Sequence, residues 1–157
     1  MFDYTKIQIE ALKVKAKSED KRLPVLGDVV VNGEECIAIT NDGCCMTFVP
    51  KSLFLLDKAK FNNRDNFQKM VDDLLSSEYE TAFPRELLNI EQSGKKVTIQ
   101  KLDSGKEGKY AWVNVKLLKQ FDDRIGNSYA VKGKVAAVQI KDGLGRVIGL
   151  VLPTRHD

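Results

Sequence analysis

The sequence predicts an α+β fold in which both ends of the chain share one plan: a strand, a helix and then three antiparallel strands. Near each end, three apolar runs are separated by residues that favour tight turns, as in antiparallel hairpins. Apolar residues also recur at helical spacing once near each end and once in the middle. The chain has 157 residues, enough for one domain with a sizeable core. We expect a single domain over 1–157, made of a first half-motif (1–50), an insertion (51–105) and a second half-motif (106–157).

The first half-motif begins with residues 5–17, which fit a helix better than a strand because the alternation of apolar and polar residues slips at Ala11. In a helix, Ile9, Leu12 and Ala16 share an apolar face. The apolar runs that follow predict a three-stranded meander. They are residues 25–31, 36–40 and 44–49.

The insertion is predicted to contain an amphipathic helix over residues 64–78, capped by Asn62 or Asn63. A hairpin is expected after it, because strand-like residues 87–91 and 97–102 flank Ser93-Gly94.

The second half-motif is expected to repeat the plan of the first. Residues 109–113 predict a strand, and Asn114 is a suitable cap for a helix that runs to Ile125. Three further apolar runs predict the last three strands. They are residues 129–131, 135–140 and 147–152.

Composition excludes several classes of protein. With 43% hydrophobic and 30% charged residues, the chain is neither disordered nor collagen-like. No stretch approaches the roughly 20 apolar residues of a membrane span, and residues 1–4 lack the features of a secretory signal. We therefore expect a cytoplasmic protein with no membrane partner.

Reactive side chains form no recognisable constellation. The cysteines at 36, 44 and 45 have no C-x-x-C spacing, and the only histidine is His156. No nucleophile has a base and an orienting group near it in sequence. We expect no metal, no cofactor and no catalytic residue, and so a protein that is not an enzyme.

The formal charge of +3 is unevenly distributed. Residues 1–50 have 6 basic and 8 acidic groups, residues 51–105 have 9 of each, and residues 106–157 have 10 and 5. A DNA contact, if present, is therefore expected to be local and sensitive to salt.

Short strings in both half-motifs resemble the DNA sliding clamp family, specifically the bacterial β-subunit of the replicative polymerase, which is its processivity factor. Residues 23–31 (LPVLGDVVV) and 37–43 (IAITNDG) resemble two strands of the family. Residues 113–118 (VNVKLL) resemble the start of its second helix, and residues 138–142 (VQIKD) and 151–155 (VLPTR) resemble its C-terminus. The strings occur in the family's order and cover roughly the first and last 50 residues.

This resemblance implies a DNA-clamp-like fold of two β-α-β-β-β units, with antiparallel sheets and two helices on one side. Six such domains form the family's ring, so a single domain would need to form a homo-oligomer. The helices hold double-stranded DNA by its backbone, without reading sequence. Carried over by position, the DNA-contacting residues are Lys6, Lys13 and Lys17 on the first helix, Lys21 and Arg22 in the next loop, and Lys116, Lys119 and Arg124 on the second helix.

The family also binds short peptide motifs of polymerases and repair proteins in an apolar pocket beside its C-terminal strand, completed by a neighbouring domain. The residues that match that strand are Leu150, Leu152, Pro153 and Arg155, whereas Thr154 stands where the family has a larger apolar residue.

The leading hypothesis is a non-enzymatic clamp-like protein of DNA replication or repair. The alternative is a protein-interaction module or clamp mimic with the same fold and no DNA binding. In that case Lys6, Lys13 and Lys17 form an ordinary solvated helix face, with Glu10 as an ion-pair partner. A third hypothesis is a catalytic protein whose site lies within residues 51–105.

Overall fold

A computed structural model describes residues 2–17, 22–75 and 78–156. Within these residues it has three α-helices and ten strands. The helices are α1 (Tyr4–Lys17), α2 (Phe67–Leu74) and α3 (Val115–Lys119). The strands are β1 (Val25–Val31), β2 (Glu34–Thr40), β3 (Cys45–Pro50), β4 (Asn62–Asn63), β5 (Glu80–Gln92), β6 (Lys95–Asp103), β7 (Tyr110–Asn114), β8 (Ser128–Val131), β9 (Val138–Lys141) and β10 (Val147–Val151). The expected α+β class is confirmed.

All ten strands form one sheet in the order β4-β1-β2-β3-β10-β9-β8-β5-β6-β7. The predicted meanders are both present as β1-β2-β3 and β8-β9-β10, with antiparallel neighbours. Strands β3 and β10 join the two meanders as an antiparallel pair, in which Thr47 lies opposite Gly149. The two half-motifs therefore meet at the middle of the sheet.

The hairpin predicted in the insertion is confirmed and is longer than expected. Its turn contains Ser93 and Gly94, both with positive φ (52° and 77°), as the tight turn of an antiparallel hairpin requires. Strand β5 pairs first with β8 over residues 80–82 and then with β6. The hairpin is thus part of the continuous sheet.

The helices α1 and α2 pack on opposite faces of the first meander. Successive residues of a strand point to opposite faces. On β1, Leu26 belongs to the cluster that contains Ile7 of α1, whereas Val25 and Val29 belong to the cluster that contains Phe67 of α2. The helix α3 lies with α1, and the ring of Phe121 just beyond it stacks on that of Phe2 with centroids 6.2 Å apart.

Several predicted details differ in the structure. Among the described residues only Phe2 and Asp3 precede α1, and neither lies in a strand, so they do not supply the strand predicted at the start of the first half-motif. The helix α3 ends at Lys119, well before Ile125. The N-cap of α2 is Asn66, because Asn62 and Asn63 pair with β1 as a short parallel strand.

The buried face of α1 also differs from the predicted one. Ile7, Gln8 and Ala11 are buried, whereas Ile9 and Leu12 are 48% and 50% exposed. Gln8 determines this orientation because its side chain satisfies a distant backbone segment. Its Nε2 donates to the carbonyl of Leu53 at 3.1 Å, and its Oε1 accepts from the N–H of Leu55 at 2.7 Å.

Candidate functional site

The structure brings three of the predicted DNA-contacting lysines together at a groove between α1 and α3. Lys6 comes from α1, and Lys116 and Lys119 come from α3 near the other end of the chain. The groove encloses about 190 Å³. The side chain of Asn114 caps α3 by accepting from the N–H of Lys116 at 2.9 Å, as the sequence predicted. Lysines from both half-motifs therefore share one surface, which we call the basic groove.

The lysines of α1 continue from the basic groove along the exposed side of the helix. Lys13 and Lys17 line a shallow depression of about 260 Å³ together with Glu10 and Val14. Glu10 also lines the basic groove. Its carboxylate lies among the lysines and reduces the positive potential of this face.

The other predicted DNA-contacting residues lie elsewhere. Arg22 is exposed just before β1, and Arg124 is exposed in the turn beyond α3, where it does not line the basic groove. The prediction for Lys21 falls outside the described residues. The helix α3 is too short to carry Arg124 on the same face as Lys116.

Asp123 is held by the turn that follows α3. Its Oδ2 accepts from the N–H of Gly143 at 3.1 Å, and its Oδ1 accepts from the N–H of Ile125, also at 3.1 Å. These two backbone N–H groups, that of Gly143 foremost, lower the pKa of the carboxyl below its usual value. Asp123 therefore has a structural role in this turn.

A second candidate surface is an apolar pocket of about 310 Å³ on the α2 face of the sheet. We call it the apolar pocket. One wall comes from α2, another from the connection between β2 and β3, and a third from the end of β10. The lining residues are Leu23, Val25, Thr40, Gly43, Cys44, Cys45, Met46, Arg64, Phe67, Met70, Leu74, Ala137, Leu150 and Leu152.

The packing of α2 against β1 depends on Gly27. A Cβ atom at Gly27 would lie 2.2 Å from Cδ2 of Phe67, so the missing side chain provides the space that this ring occupies. On the opposite wall, Oδ1 of Asp42 accepts from the N–H groups of Cys44 and Cys45 and fixes the turn after β2. Both walls are therefore positioned by local sequence.

Only two of the four predicted pocket residues line the apolar pocket. Leu150 is 3% exposed and Leu152 is 50% exposed, and both line it. Pro153 and Arg155 do not line it. The chain leaves the pocket after Leu152, because the N–H of Thr154 donates to the carbonyl of Trp112 on β7 at 2.7 Å.

The wall formed by α2 is the part that sequence reasoning missed. Phe67, Met70 and Leu74, which lie within residues 51–105, supply this wall in the same chain as Leu150 and Leu152. In the sequence, the only indication of this wall is the helical spacing of its apolar residues, which is equally typical of a helix that packs entirely on the core. Met70 does not fit such a helix, since it is 38% exposed.

The thiols at and near the pocket are kept protonated by their surroundings. Burial, with the charge of Glu34 as a smaller cause, raises the pKa of Cys36 to about 11. Partial burial and then the charge of Asp42 raise the pKa of Cys44, which is exposed at the pocket. Neither thiol has the lowered pKa of a nucleophilic cysteine.

Within residues 2–17, 22–75 and 78–156, no three His, Cys, Asp or Glu side chains are grouped so that they could hold a metal ion. Within the same ranges, no helix has the length and apolar character needed to cross a membrane.

No protein-family model matches the chain, and neither a curated protein nor a solved structure matches it. The evidence on function is therefore the geometry described above.

Proposed function

We propose that this chain is a non-enzymatic, sliding-clamp-like protein of DNA replication or repair. It contacts the DNA backbone through the basic groove and holds a partner protein in the apolar pocket. The main observation in support is that Lys6, Lys116 and Lys119 line one groove, so that helices from both half-motifs present lysines on one surface. That arrangement agrees with the clamp-like strings of the sequence.

The chemistry of this surface suits a contact with phosphates. Lysine ammonium groups bind backbone phosphates and release counterions, which gives affinity without sequence preference. The basic groove lies on the α1 face of the sheet, and the apolar pocket lies on the α2 face. DNA and a partner protein could therefore be held at the same time.

Binding to a double-stranded DNA of arbitrary sequence, measured by fluorescence anisotropy over a range of salt concentrations, tests the DNA contact. Lys116→Glu combined with Lys119→Glu is expected to weaken binding and to reduce the salt slope by about 2, roughly one unit for each lost phosphate contact. A matched control combines Lys95→Glu with Lys96→Glu at the exposed end of the β5–β6 hairpin. If both double variants lose affinity equally, the assignment of the basic groove is wrong.

The second candidate function is a protein-interaction module with no DNA binding. Two observations favour it: Glu10 lies in the basic groove, and one chain supplies all the described walls of the apolar pocket. A chain that binds apolar peptides and shows no salt-dependent DNA affinity would establish this candidate over the first.

A further inference from the structure

We propose that the apolar pocket selects a protein segment in which a carboxylate lies beside apolar residues, and that Arg64 contacts this carboxylate. The inference rests on the proposed role of the pocket in partner binding and adds the chemistry of the partner. Arg64 is the only charged residue among those that line the pocket, all of which lie in the described part of the chain.

The position of Arg64 is fixed by the fold. Its backbone N–H donates to the carbonyl of Leu26 on β1 at 2.9 Å, three residues before α2 begins. The residue is exposed at the edge of the pocket, and within residues 2–17, 22–75 and 78–156 it makes no ion pair with a carboxylate. Its guanidinium is therefore available to an occupant of the pocket.

Among the residues that the structure describes, nearby acidic groups do not balance this charge. Asp42 is bonded through Oδ1 to two backbone N–H groups of its own turn, and Asp65 next to Arg64 does not line the pocket. Asp28 is paired with Lys58 at 2.7 Å. An occupant thus meets apolar walls and one positive charge.

A carboxylate suits this edge for physical reasons. The guanidinium offers parallel N–H donors that match the two oxygens of a carboxylate, and such charge-assisted bonds are strong beside apolar walls. The apolar area favours aliphatic or aromatic neighbours of that carboxylate. With a volume of about 310 Å³, the pocket lies at the small end of ligand sites and suits a few side chains of an extended segment.

Two matched sets of short fluorescent peptides provide the test. Each peptide has Leu or Phe on both sides of one variable position, which is Asp in the first set and Asn in the second. The intact protein is expected to bind the best Asp peptide at least about tenfold more tightly than its Asn counterpart, as one charge-assisted hydrogen bond would give. Arg64→Gln is expected to remove this preference and to leave the affinity for the Asn peptide unchanged.

Controls separate this inference from the proposed function. Arg85→Gln, on the exposed part of β5, should retain the preference for Asp. Met70→Glu places a charge in the pocket and should abolish binding of both sets. Equal affinity for the two sets, or a preference that survives Arg64→Gln, would overturn the carboxylate inference while leaving the pocket as a peptide site. If neither set binds, or if decanoate binds and peptides do not, both the inference and the partner-binding role are wrong.

Discussion

At the scale of single residues, Gly149 is the position that permits the core of the second half-motif to close. A Cβ atom at Gly149 would lie 2.2 Å from Cε1 of Phe121 and 2.6 Å from the carbonyl oxygen of Met46. Phe121 is fully buried, and the carbonyl of Met46 belongs to the backbone of the neighbouring β3. Neither the ring of Phe121 nor the carbonyl of Met46 can move away from an added Cβ atom unless the packed ring or β3 itself shifts.

Gly149→Ala is therefore expected to lower the free energy of unfolding by about 2 kcal/mol or more, through overpacking of the core. Urea denaturation followed by circular dichroism measures this loss. Gly133→Ala is the matched control, because the nearest heavy atom to its new Cβ is a carbonyl oxygen 3.8 Å away. The control should change stability by less than about 1 kcal/mol. Equal losses in the two variants would show that the contacts at Gly149 are not limiting.

At the scale of elements, α2 covers the outer edge of β1. The side chain of Gln68 makes backbone hydrogen bonds to β1 of the kind that a neighbouring strand would make. The Oε1 of Gln68 accepts from the N–H of Val30 at 2.5 Å, and its Nε2 donates to the carbonyl of Val30 at 3.2 Å. The same Nε2 donates to Asp72 at 2.8 Å. Asn62 and Asn63 pair with the beginning of the same strand. An uncovered edge invites pairing with another chain, so this cover limits association along β1.

Gln68→Ala is expected to expose the Val30 backbone, to cost about 1 kcal/mol of stability and to increase self-association. Size-exclusion chromatography with light scattering, over a range of protein concentrations, measures the association. Lys69→Ala changes the adjacent exposed residue of α2 and should leave the elution unchanged. If both variants keep the native mass at all concentrations, the Gln68 side chain does not protect the edge.

The elements of this fold were more predictable than their contacts. Strands and hairpin turns followed from local residues, such as Asn32-Gly33, where both residues have positive φ. The buried face of α1 could not be predicted, because it depends on hydrogen bonds from Gln8 to a segment more than forty residues away. Likewise, the resemblance singles out Leu150 and Leu152, whereas the α2 wall comes from residues with no counterpart in it.

At the scale of the whole molecule, the sheet separates two surfaces with different chemistry. The basic groove between α1 and α3 lies on one face, and the apolar pocket beside α2 lies on the other. One chain supplies the lining of each. A ring, if copies of the chain form one, is therefore not needed to build either surface.

Peptide binding is accordingly expected to be independent of oligomeric state. Isothermal titration with the best peptide should give one site per chain, with the same Kd at a dilution where light scattering reports a monomer and at a high concentration. Leu144→Ala, at an exposed turn outside the pocket, serves as a control with unchanged binding. Binding that appears only with an assembled species would mean that a second copy completes the pocket.

The pairing of β3 with β10 has a consequence for how the protein is made. These strands are separated in sequence by residues 51–146, yet they are neighbours in the middle of the sheet. During synthesis, local contacts allow the β1-β2-β3 meander to form early. The pairing of β3 with β10 forms later, because β10 is synthesised later and the pairing of distant segments is slow. Leu150 and Leu152 belong to that last portion. The apolar pocket therefore cannot form before residues 150–152 have been synthesised, and a chain that stops before them would lack this wall.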